Sequence, residues 1–281
     1  MPGMNPVRHL PNRDRLSVLT AVILLAYALA RFLDLPRRLF STTFLGSDLS
    51  FELSGPGLML LLVAALISAG SDTLIRSHPL FKEQPTKRSL PHWILPGATA
   101  LVLGSALNQA SLDGGPGWWL GLGLSALALL TVLVAEYIVV DPEDIAWDAA
   151  ALVLSALAYV LALILFALLR QLNAPAIISA GVGGLLAAGV AWRLFALKGA
   201  PLGRAALYAG LVGLISAEVI GIINYWRITS IGAALVIIIA FYFSLGIAQQ
   251  HLAGRLTRRV WIEYGAVSLL GLIIALLYVF L

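Results

Sequence analysis

The chain is a succession of apolar runs, and their length decides what it can fold into. About 20 residues of helix span the hydrocarbon core of a bilayer. Nine runs approach or reach that length: 16–35, 57–75, 93–112, 118–139, 146–169, 176–197, 204–224, 229–250 and 261–280. They are continuous rather than alternating, and twice as long as a barrel strand, which argues against a transmembrane β-barrel. The expected fold class is all-α, a polytopic helical transmembrane bundle of about nine spans. The chain is 60% hydrophobic and 11% charged. A soluble domain runs near 45–50% and about 25%, so the balance fits a surface that faces lipid.

The connections are short, so residues 1–281 read as a single integral-membrane helical domain. Residues 1–15 form a polar tail, 36–56 a short outer-face loop and 76–92 a basic inner loop. The first run has no clean small-x-small cleavage site after it and is expected to stay as an anchor. In the outer loop, Leu49–Ser54 alternates apolar and polar residues after the turn signal Gly46-Ser47-Asp48, which is the pattern of a small hairpin.

Loop charge sets the orientation. With the N-terminus inside, 13 Lys and Arg fall on the inner side (Arg193 among them) and 5 on the outer. Basic residues concentrate in cytoplasmic loops, so the expected placement is N-in and, with nine spans, C-out. All seven Trp lie near span ends, as in an aromatic belt. Compact Ala/Leu/Gly-rich spans point to a bacterial-type inner (cytoplasmic) membrane. The same rule accounts for the high pI, so no nucleic-acid partner is expected. The expected partners are membrane lipids, with anionic headgroups meeting Arg76, Lys82, Lys87, Arg88, Arg255, Arg258 and Arg259, and other membrane proteins.

Several chemistries find no support. Cysteine is absent, which removes disulfides, thiolate metal sites and Cys nucleophiles. No Walker, GxSxG or HExxH pattern occurs. His78, His92 and His251 lack paired ligand spacing, and no His lies within a span to hold a haem. No metal and no cofactor is expected, and the reading leans away from an enzyme.

The one acid deep in an apolar run is Glu218, and an intramembrane ionisable residue is a functional candidate by default. It stands roughly 21 Å along its helix from Arg204, at 1.5 Å per residue, and so in the outer half. Tyr225 at i+7 shares its face. Gly213, Ala217 and Gly221 form a small-residue stripe beside that face, where another helix can approach. Glu218 is therefore expected to face protein or a cavity. With Tyr225, Asn224, Asn108 and Gln109 it puts polar groups at one depth, which is a pocket open to the outside if the third and seventh spans are neighbours. Otherwise Glu218 is an interhelical lock, and Asn108 and Gln109 merely finish a helix.

Two acidic groups read differently. Asp34, Asp48 and Glu52 lie in the first external loop. By architectural analogy alone, that is where membrane glycosyltransferases acting on lipid-linked sugars place catalytic acids. The plainer reading is a solvated cap. Asp141-Pro142-Glu143-Asp144 reads as a helix start, with Asp141 as N-cap and Pro142 in the first turn. Glu136 and Tyr137, just before it, are expected to snorkel to the inner interface.

Three functions follow as expectations. The first is a small permease or binding protein with an outward-facing polar pocket around Glu218. The second is a membrane-embedded transferase acting on a lipid or lipid-linked substrate at the outer face. The third is a non-catalytic membrane scaffold subunit.

Overall fold

The computed structural model describes residues 11–32, 38–44, 47–53, 55–83, 89–109 and 115–280. Of these, the side chains of 31–32, of both strands and of 82–83, 109 and 280 lie outside the description. The helices are α1 (Arg13–Phe32), α2 (Gly55–Arg76), the short α3 (Pro79–Glu83), α4 (Ile94–Gln109), α5 (Pro116–Ile138), α6 (Trp147–Gln171), α7 (Ala176–Leu197), α8 (Leu202–Ile223), α9 (Ser230–Leu252) and α10 (Arg258–Phe280). A 3-10 turn, Leu90–Trp93, leads into α4. Eight of the helical stretches are long and apolar enough to cross a membrane. The remaining long helix, α1, has Arg13, Asp14 and Arg15 in its first turn. The bundle is helical, as the apolar runs require.

The connection between α1 and α2, expected at the outer face, does form a hairpin. β1 (Arg38–Phe44) pairs antiparallel with β2 (Ser47–Leu53), with Phe40 opposite Phe51 and Phe44 opposite Ser47.

The fold divides into two compact units, 1–157 and 158–281, with the division inside α6. In the first unit, α2 packs on α1 and α4, and α5 on α4. Ile23 and Tyr27 of α1, Val63 and Ile67 of α2, Ala100 of α4 and Leu129 of α5 share one core. The Tyr27 hydroxyl donates to the Ala100 carbonyl at 2.7 Å, tying α1 to α4. A buried phenol needs such a partner, because the lipid side of the bundle supplies none.

In the second unit α7 and α8 make the closest helix pair, and α8, α9 and α10 follow in sequence. Small residues permit the approach. A Cβ added at Gly213 would stand 2.6 Å from the Gly184 carbonyl oxygen and 2.7 Å from Ala188 Cβ. Two helix ends are closed by the same device. After α7, Gly199 (φ 75°) donates to Ala196 O and Ala200 to Phe195 O, at 3.0 and 3.1 Å. After α9, Gly254 (φ 66°) donates to His251 O and Arg255 to Gln250 O, at 3.0 and 2.9 Å. These are Schellman caps, in which a left-handed glycine lets two N–H groups turn back onto orphan carbonyls. Lys198 Nζ donates to Gln249 Oε1 at 2.9 Å, so the two capped ends lie side by side.

One boundary corrects the sequence reading. Asp141 does not cap α6. Its Oδ1 accepts from Glu143 N at 3.0 Å within a turn, and α6 begins only at Trp147. Asp144 Oδ1 accepts from Ala146 N at 2.8 Å just before it. Asx turns compete with helix for the same backbone groups, and here two follow one another. Arg193 is also not a loop residue. It lies within α7 and is buried.

Candidate functional site

The small-residue stripe of α8 behaves as expected, but it takes the protein contact for itself. Gly213 meets Gly184 and Ala188, and Gly184 meets Ala217. Glu218 follows Ala217, and one residue of helix turns by about 100°. That step carries Glu218 off the packed face, and it is exposed. Of the two expected surroundings, protein or a cavity, it does not meet the packed helix face.

Glu218 instead lines an open depression of about 620 Å³ with Gly221, Ile222, Tyr225 and Trp226. The lining comes from the last two turns of α8 and the residues that follow it. At Gly221 a Cβ would meet only Ala180 Cβ, at 3.9 Å. Tyr225 is 81% exposed, so the face shared by Glu218 and Tyr225 is real and turned outward from the unit.

Asn224 does not join them. It is the C-cap of α8, and its Oδ1 accepts from Arg170 Nη1 at 2.9 Å. Arg170 Nη2 donates to the Trp226 carbonyl at 2.8 Å. A cation at a helix C-terminus is favoured by the helix dipole and by the orphan carbonyls. Arg170 is thus the clamp on the end of α8. Asn108 is exposed near the end of α4 in the first unit, and the depression is not lined by it. Gln109 ends α4, with its side chain outside the described residues.

The first unit holds polar groups that sequence reasoning did not bring together. Asp72 of α2 accepts from Arg76 Nε at 2.7 Å, from Trp93 Nε1 at 3.0 Å and from the Ser89 hydroxyl. On the far side of the same 3-10 turn, His92 Nδ1 lies 2.7 Å from Glu136 Oε2 of α5. The turn is therefore held between two carboxylates. Glu136 is 0% exposed and Tyr137 4%. Neither snorkels, because Glu136 is bonded to His92 and Tyr137 packs at a tilt against buried His78, ring centroids 4.7 Å apart. The only sequence signal was indirect: Asp72 and Glu136 stand close to the ends of their runs, on the side where His78 and His92 fall.

The remaining candidates divide. Asp34, Lys87 and Arg88 lie outside the described residues. Asp48 and Glu52 are on β2, opposite Thr43 and Leu39 in the register. Lys82 is in α3. Arg76, Arg255, Arg258 and Arg259 are exposed. Among the described residues no group of three or more His, Cys, Asp or Glu is placed to hold a metal ion.

The eight long apolar helices define a multi-pass membrane protein. Residues 35–278 match the family described as "Protein of unknown function (DUF5656)", and the chain belongs to that family. No curated protein and no solved structure matches it.

Proposed function

We propose that the protein is a small permease or binding protein of a bacterial-type cytoplasmic membrane, N-in, and that Glu218 is its ligand-binding carboxylate at the outer face. One observation carries this reading: Glu218 and Tyr225 line the same open depression, with Trp226 beside them. A carboxylate in an otherwise apolar helix is costly and is retained for purpose. A carboxylate that shares a depression with two aromatic side chains suits a cation that also carries apolar surface, through charge and cation–π attraction together. The loop charges support the orientation, which puts this end of α8 outside.

The test uses ethidium, an aromatic cation, with the full chain in proteoliposomes and an imposed pH gradient. Wild type accumulates or binds the dye in a pH-dependent manner. Glu218→Gln abolishes the effect, and Glu218→Asp keeps part of it. Unchanged dye handling in Glu218→Gln rules the reading out.

A further inference from the structure

We propose that the groove between α8 and α9, at the arginine-rich end of the second unit, is a binding site for one anionic phospholipid. An acyl chain lies in the groove and the headgroup phosphate sits at its mouth. The groove has a volume of about 420 Å³, within the roughly 300–1,000 Å³ of sites that take small molecules. Its walls are apolar, formed by Leu211, Ile215, Phe243 and Ile247. Its mouth is amphipathic. Tyr208 and His251 meet there with ring centroids 5.6 Å apart. Trp261 forms the other lip, 5.9 Å from the Phe243 ring. Such rings settle at headgroup level, which places the mouth among the phosphates.

The charge around the mouth is one-sided. Arg204 lies one turn before Tyr208 and on its face of α8. Arg255 follows α9, and Arg258 and Arg259 open α10. The second unit has only two acids, Glu218 and Glu263. Glu218 is at the other end of α8, and Glu263 is occupied by Arg259 at 2.7 Å. Arg204, Arg255 and Arg258 are exposed and have no acid of their own unit beside them. Helix stability does not explain Arg204 and Arg258, because cations in a first turn oppose the helix dipole. A phosphate does explain them, and basic pockets between helices are where anionic headgroups bind. A second copy docking through this face would bring arginine against arginine. The open side of the groove, where Leu211 and Ile215 are exposed, suits a chain that enters from the bilayer.

The site is tested on the detergent-purified full chain. Phosphatidylglycerol, phosphatidylcholine or inorganic phosphate is added, bound lipid is counted by native mass spectrometry, and thermal unfolding is followed. One phosphatidylglycerol is retained, and the unfolding temperature rises with it and not with the other two. Arg255→Gln/Arg258→Gln weakens phosphatidylglycerol binding by about 30-fold, the loss expected for two basic residues near a headgroup. Ile247→Trp fills the groove and lowers retention as well. Leu211→Phe gives the same readout with a smaller insertion should the tryptophan disturb folding. An equal response to phosphatidylcholine, a response to phosphate alone, undiminished binding in the arginine pair, or a self-associated dimer covering this face would each overturn the proposal.

Discussion

Gly213→Ala is the sharpest test of how the second unit is built. The new methyl would stand 2.6 Å from a backbone oxygen, Gly184 O, and 2.7 Å from Ala188 Cβ. Neither can rotate away, so α7 and α8 must separate along the stripe. Overpacking of this kind costs about 1–3 kcal/mol. The opposing gain in helix propensity on replacing glycine by alanine is at most about 1 kcal/mol. Gly210→Ala is the internal control, since no heavy atom lies within 4 Å of a Cβ built there. The expected order of stability is therefore Gly210→Ala at or above wild type and Gly213→Ala below it. Reversible unfolding in mixed detergent micelles, followed by tryptophan fluorescence, measures the difference. Gly184→Ala is expected to behave like Gly213→Ala, because its methyl would meet Ala217 Cβ at 2.8 Å and Gly213 O at 2.9 Å. The double substitution should cost less than the sum, since one separation of the helices relieves both clashes. If Gly213→Ala is as stable as Gly210→Ala, or the double change is strictly additive, α7 and α8 do not meet as described.

Three further expectations use the same unfolding measurement. Tyr27→Phe removes the donor to Ala100 O and should cost about 0.5–1.5 kcal/mol; no change would mean the bond does not tie α1 to α4. His92→Ala takes a hydrogen-bond partner from fully buried Glu136 and should cost about 1–3 kcal/mol, with Glu136→Gln milder because an amide can still pair with the ring. Arg170→Gln should cost about 1 kcal/mol and speed tryptic cleavage after exposed Arg227, because the end of α8 loses its clamp. An unaltered cleavage rate would refute that role.

The helices were legible in the sequence because lipid enforces a long uninterrupted apolar run, and little else in a sequence imitates one. The alternation Leu49–Ser54 likewise announced the hairpin, since a period of two has one local meaning. What stayed open was direction. Glu218 was expected to face protein or a cavity, and the stripe beside it does not decide between the two. A single residue step of about 100° separates the packed face from the open one. Asp141 failed because an N-cap and an Asx turn use the same side-chain oxygen, and only the following backbone decides between them. As pairs, His92–Glu136, Asp72–Trp93 and Arg170–Asn224 were not legible. Each joins residues from separate helices, turns or connections, and the pairings depend on tertiary packing that no spacing in one chain encodes.

The two Schellman caps bear on how the chain enters a membrane. The last carbonyls of a helix have no partner within it, and until something satisfies them the end frays. After α7 and after α9 the glycine turns do this within the local segment, before the next helix is made. Each turn is also short: 198–201 joins α7 to α8 and 253–257 joins α9 to α10. Turns this short let each helix pack on its predecessor, so α7 with α8, and α9 with α10, are expected to enter the bilayer as helical hairpins. Substituting Gly199 or Gly254 by a β-branched residue should then show first as a defect of biogenesis, in lower yield of inserted protein, and only afterwards as a loss of stability in what does insert.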